Sequence, residues 1–187
     1  MGAVEYEQTQ WGLRQSDSEY GAMIAATYQS FGLVDSHVSA ARDTGNYYRF
    51  LVGDLPNVIT VDNTYQFITK GGCWQIRFDA GHSPGHMSLT DRARKLHICV
   101  DFLLPRISPN ISARLRDLND DTLADYLRYL DSMTGTPADW LIIPGHDWPY
   151  FGGGARAKQL SAHHVARLDQ LLDICLLYTS PSPRDKT

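Results

Sequence analysis

The sequence predicts a mixed α/β domain built around a buried sheet, and three observations carry that prediction. Residues 73–101 hold a period-two alternation followed by short apolar runs, as strands do. Segments on both sides repeat apolar residues at three- and four-residue spacing, as helices do. The stretches between them are short and rich in Gly, Pro and Asp, and no internal repeat or autonomous linker divides the chain.

Length and composition fit this class. With 187 residues, 43% hydrophobic and 20% charged, the chain has the size and make-up of one globular domain. A net charge of −4 and a pI near 5.9 exclude a large basic surface for nucleic acid, though not a local patch. Cys73, Cys99 and Cys175 are too few and scattered for a disulfide framework or a cysteine zinc site, and read as small buried residues. No apolar run approaches the roughly 20 residues needed to span a bilayer, and the start lacks a signal-peptide layout.

Taken in order, Val4 to Arg14 and Ser18 to Phe31 read as helices, the second with Tyr20, Met23, Ile24, Thr27, Tyr28 and Phe31 in register. Ser16 or Asp17 is placed to cap it, and Gly32 to end it. A weaker helix follows from Val34 to about Ala41. These helices are expected to cover a substrate entrance lined by Tyr47, Tyr48 and Phe50, or simply to pack. Val58–Val61 and Tyr65–Ile68 are β-prone, and Lys70-Gly71-Gly72 turns the chain into the next strand. There Trp74, Ile76, Phe78 and Ala80 alternate with Gln75, Arg77 and Asp79, which predicts one buried apolar face. Met87–Thr90 and Leu96–Val100 form a hairpin pair around residues 91–95. Asp101 to Asn110 is loop because Pro105 and Pro109 remove backbone donors. Asp120 to Met133 is an amphipathic helix with Leu123, Tyr126, Leu127 and Leu130 on one stripe and Asn119 or Asp120 as cap. Gly152-Gly153-Gly154 lacks the Lys-Ser/Thr of a phosphate loop and leads into a last helix, about Ala155 to Ile174, with Leu160, His164, Leu168, Leu171 and Leu172 on one face.

Chemistry concentrates where strands give out. The first strand stops at Ala80-Gly81-His82-Ser83-Pro84-Gly85-His86, whose Pro and Gly oppose a helix and leave a turn. The run Leu96–Val100 ends on Asp101, and Trp140–Ile143 ends in Pro144-Gly145-His146-Asp147. Singly, each is an ordinary loop histidine or turn-forming aspartate. Together, imidazole and carboxylate groups at three strand ends make His82, Asp101 and His146 a candidate set for zinc, iron or manganese. His163 and His164 are helix neighbours about 100° apart and cannot both face one metal, so both read as structural.

In that order, Gly81-His82-Ser83-Pro84-Gly85-His86, Val100-Asp101-Phe102-Leu103-Leu104-Pro105 and Ile143-Pro144-Gly145-His146 resemble the later motifs of the metallo-β-lactamase-fold hydrolases. The stretch Leu104 to Asn110 resembles the glyoxalase-like and thioesterase-like branch, and the likeness covers roughly Val4 to Leu172. It implies an α/β fold of the four-layer αββα sandwich type. It further implies that His82 binds one metal, Asp101 bridges two and is the catalytic carboxylate, and His146 binds the second, with His86 not a ligand. By the same analogy Arg106, Asn110 and Tyr150 lie at the substrate pocket, and the intact domain holds two Zn2+, or Fe or Mn. The family's upstream His-x-His-x-Asp-His loop has no counterpart, since the one histidine before His82 is His37.

The expectation is therefore a sandwich truncated at the N-terminus, with residues 1–175 the later portion of one domain and 176–187 a disordered, non-native tail. Three ligands from three loops predict weak or no metal binding by this chain, and little activity of its own. For the intact protein the resemblance implies a cytoplasmic hydrolase in which a two-metal centre activates water against a small-molecule thioester or related ester. A phosphodiester is the second substrate class and a lactone the third; neither a membrane nor nucleic acid is an expected partner. The rival is a non-catalytic binding module that keeps the sandwich without its metals. Oligomeric state stays open.

Overall fold

The computed structural model describes residues 1–116 and 118–179. Helices α1 (Ala3–Arg14), α2 (Asp17–Ser30), α3 (Asp35–Thr44) and the single turn α4 (Tyr48–Leu51) come first. Strands β1 (Gln66–Thr69), β2 (Gly72–Asp79), β3 (His86–Asp91) and β4 (Leu96–Val100) follow, then α5 (Thr122–Met133), β5 (Leu141–Pro144), β6 (Tyr150–Phe151) and α6 (Gly153–Thr179). The six strands form one sheet in sequence order, antiparallel except where α5 carries the chain from β4 to a parallel β5. Among the described residues no helix is long and apolar enough to cross a membrane.

Local sequence explains most element ends. Ser16 accepts from the Glu19 amide while Glu19 reaches back to Ser16, a complete capping box that starts α2. The carbonyls at the end of α1 are met by the buried side chain of Asn46, whose Nδ2 donates to Gly12 and Gln15. Asp121 caps α5, one residue beyond the caps expected from sequence.

Register assigns the sheet two faces, because directly paired residues share a side. Arg77, Asp79, His86, Ser88, Thr90, His97, Cys99, Ile142 and Tyr150 lie on one face, and the core forms there against α5 and α6. Phe102, Leu103, Tyr126, Tyr129, Leu130, Met133, Ala157 and Leu160 fill it. Each of the larger apolar side chains contributes roughly 1.5–3 kcal/mol on burial. The other face carries Trp74, Ile76, Phe78, Met87, Leu89 and Ile98; Ile76 is buried, but Met87 stays 38% exposed.

The apolar positions Trp74, Ile76 and Phe78 are, as expected, better buried than Cys73 and Gln75, but the polar side is partly covered as well. The alternation in β2 is real, yet α5 covers its polar side: Arg77 donates to Ser132 and lies 5.4 Å above the ring of Tyr129. Arg77 lies there with its Nε and Nη2 donating to the largely buried carboxylate of Asp79, so that carboxylate is paired.

Other differences are local. Val58–Val61 forms no strand; it touches the N-terminus through one parallel bridge between Gly2 and Val61. Tyr47, Tyr48 and Phe50 line no common entrance: Tyr47 borders the α2–α3 groove, Tyr48 packs by Gly12 of α1, and Phe50 is 83% exposed. The α6 stripe beyond His164 is exposed at Leu168, Leu171 and Leu172. The helix continues through residues 176–179, expected as tail; residues 180–187 lie outside the described residues.

Candidate metal centre

The three strand-end side chains meet. His82 follows β2, Asp101 follows β4 and His146 follows β5, and register places these ends side by side. Nε2 of His82 lies 3.7 Å from Oδ2 of Asp101, and Nε2 of His146 lies 3.4 Å from its Oδ1. One carboxylate is thus bracketed by two imidazoles.

The backbone is bent to put Asp101 there. The β4–β5 register slips between Ile98 and Val100, and Val100 adopts φ +44°, a left-handed conformation that a β-branched residue avoids. Such strain persists where the surroundings over-determine it. Three side chains hold the carbonyls that follow: Tyr126 donates to Phe102, Tyr150 to Leu103 and Arg156 to Leu104. Beneath them Phe102, Leu103 and Leu104 are buried.

The two histidine turns are built by close approach. Gly81, at φ +141°, passes so near α5 that an added Cβ would sit 2.8 Å from Cβ of Tyr126. On the other side of that turn, Glu5 of α1 accepts from the amide of Gly85 and from Oγ of Ser83. Gly145 leaves room for the carboxylate itself, since a Cβ there would sit 2.5 Å from Oδ1 of Asp101. That oxygen is buried and has no hydrogen-bond partner among the described residues.

The histidines differ in what fixes them. Nδ1 of His82 lies 2.7 Å from the carbonyl of Asn110, which can only accept, so Nδ1 carries a proton. In the neutral ring Nε2 then turns a lone pair toward Asp101. Two lone-pair bearers facing each other are reconciled by a cation between them or by a second proton on the ring. His86 is otherwise engaged: Nε2 pairs with the carbonyl of Cys99, the ring stacks 4.0 Å from Phe102, and burial pushes its pKa down. It takes no part in the bracket.

Of the expected pocket residues, Asn110 reaches the centre through its main chain and Arg106 is exposed. Tyr150 has its hydroxyl committed to Leu103 and its ring against the core. His164 contacts Oγ of Ser108, while His163 is exposed. Glu5 and Arg156, which steady the two loops, were missed; contacts 80 and 52 residues apart leave no local pattern to read.

The donors fit a metal in kind, as two imidazole nitrogens and a carboxylate with an orphaned buried oxygen. They fit it incompletely in number. Among the described residues no group of three or more His, Cys, Asp or Glu is placed to hold a metal ion, and each oxygen of Asp101 faces one imidazole.

No family model and no curated protein matches the chain. Its fold is similar to that of a β-lactamase domain protein from Burkholderia ambifaria, with TM-score 0.75 and 26% identity over 94% of this chain and 48% of that one. It is also similar to a metallo-β-lactamase family protein from Thermus thermophilus, with TM-score 0.73 and 22% identity over 93% of this chain and 55% of that one. The chain spans about half the length of these solved structures. The six-stranded sheet, with α5 and α6 on one face, supplies one sheet and its helix layer of an αββα sandwich. The chain is a metallo-β-lactamase-fold protein.

Proposed function

We propose that the protein is a metal-dependent hydrolase of a thioester or related acyl ester, with a centre built on His82, Asp101 and His146. One observation supports this above the rest: two imidazoles bracket a single carboxylate that follows the strained Val100, one with its Nε2 lone pair turned inward. Divalent zinc, or iron or manganese, would supply Lewis acidity to polarise the scissile carbonyl and bring a water's ionisation near neutral pH. Asp101 shares its two oxygens between the half-sites and holds the imidazoles in register. The Asn110 carbonyl fixes the tautomer of His82, and Gly145 keeps the space that Oδ1 needs. Arg106, exposed on the loop after Asp101, is available to an anionic group of the substrate. Of the cysteines expected to be buried only Cys99 is, while Cys73 and Cys175 are exposed; exposed thiols suit a reducing, cytoplasmic setting, and the substrate is a small molecule.

The test is turnover at saturating zinc of an acyl thioester, a phosphodiester and a lactone. With one imidazole per carboxylate oxygen the rate is expected to be slow, so selectivity carries the result. Thioester turnover that Asp101→Ala removes supports the reading, whereas preferential phosphodiester cleavage moves it to a nuclease-like activity. The absence of a three-donor group among the described residues favours a second reading, a metal-free binding module. Zinc-independent behaviour of all three substrates selects it.

A further inference from the structure

A second cleft lies at the opposite end of the same strands. It has a volume of about 550 Å³, opens between the start of β2 and the end of α5, and is lined by Gln75, Arg77, Thr90, Arg92, Ser132 and Trp140 among others. Asp101, just past the end of β4, is four residues on from His97 on the cleft wall, roughly 13 Å at the rise of a strand. It is therefore separate from the bracketed carboxylate.

Its charge runs against the rest of the molecule. The chain carries −4 overall, yet two arginines and no Asp or Glu line the cleft. Arg77 is tied to Asp79 and Ser132. Arg92 donates through Nε to the neutral amide of Gln75 and makes no ion pair among the described residues. Its two terminal amino groups keep a fork of donors suited to a carboxylate. Thr90 and Ser132 add hydroxyls, and Trp140 with Met133 adds an apolar wall. At the floor, Thr90 Oγ1 lies 2.9 Å from Nδ1 of the buried His97.

We propose that this cleft binds a small organic carboxylate, its anionic end on Arg92 and its apolar body against Trp140. This site is independent of the hydrolase reading. The experiment is an NMR titration of the 15N-labelled chain with benzoate, and with benzamide as its uncharged twin. Benzoate is expected to shift the Thr90 amide, the Arg92 Nε–H and the Trp140 indole N–H saturably. Benzamide is expected to leave them in place, and Arg92→Gln to weaken benzoate at least tenfold. Arg92 is exposed, so that variant keeps the fold, which an unchanged spectrum elsewhere verifies. His82→Ala is expected to leave benzoate binding unchanged. The proposal is overturned if benzoate gives no saturable shift, if benzamide binds as well, or if Arg92→Gln retains the affinity.

Discussion

The two imidazoles beside Asp101 are held in different ways. His82 stands 30% exposed on a turn pinned between α5 and Glu5, with its ring oriented by the carbonyl of Asn110. His146 is 68% exposed, and the contact described for its side chain is the one with Asp101. One half-site is pre-organised and the other must be ordered when it is used. Ordering an exposed side chain costs roughly 0.5–1.5 kcal/mol, so equal chemistry on the two sides need not mean equal affinity. The carboxylate between them is the shared element, and the strain at Val100 is concentrated beside it.

The largest effect is expected from removing what both halves share. Asp101→Ala should lower zinc affinity by at least about a hundredfold, near 2.7 kcal/mol, while His163→Ala on exposed α6 changes it little. Calorimetric titration measures both, and equal losses would break the comparison. Next, His82→Ala should cost about tenfold more affinity than His146→Ala, because it removes the oriented partner. A reversed order would show that the fixed ring is structural.

A methyl group sharpens the same point. Gly145→Ala intrudes on Oδ1 of Asp101 and should weaken zinc by about tenfold with little change in melting temperature. Gly81→Ala meets backbone and Cβ of Tyr126 at a left-handed position, and should instead destabilise the fold by about 1–3 kcal/mol in urea unfolding.

The smallest expected effect lies at the other end of β4. Burial, then Arg77 and His86, lowers the pKa of His97 to about 4 from 6.5. The unfolded chain therefore binds the proton first, so this contribution is complete above pH 6.5 and is lost as pH falls toward 4. Between pH 7 and 5.5 it should amount to about 1 kcal/mol, read as a urea midpoint shift that His97→Gln reduces. Burial raises the pKa of Asp79, which acts in the opposite direction at lower pH.

The strand ends were legible because their signals are local. Alternation in 74–80, the apolar runs at 96–100 and 140–143, and the Gly/Pro breaks after them mark where side chains leave a sheet. Their meeting at one carboxylate follows from the parallel pairing of β4 and β5, which single-strand periodicity does not contain. That α5 packs over the polar side of β2 as well was not legible, for a related reason. Arg77 and Asp79 look solvent-facing as separate residues, and only their mutual pairing lets α5 pack over them. β6 is two residues long and α4 a single turn, too short to carry a period. Tyr129, buried at the centre of the core, fell outside the stripe read for α5, although it lies three residues after Tyr126 on the same face.

The central claim is that Asp101 couples His82 and His146 around a common metal site. Zinc titration followed through the ring nitrogens of 15N-histidine tests it most directly. The account predicts that Nε2 of both residues shifts together, that Nδ1 of His82 keeps its proton, and that Asp101→Ala abolishes both changes. Shifts at one ring alone, or shifts that survive Asp101→Ala, would contradict it.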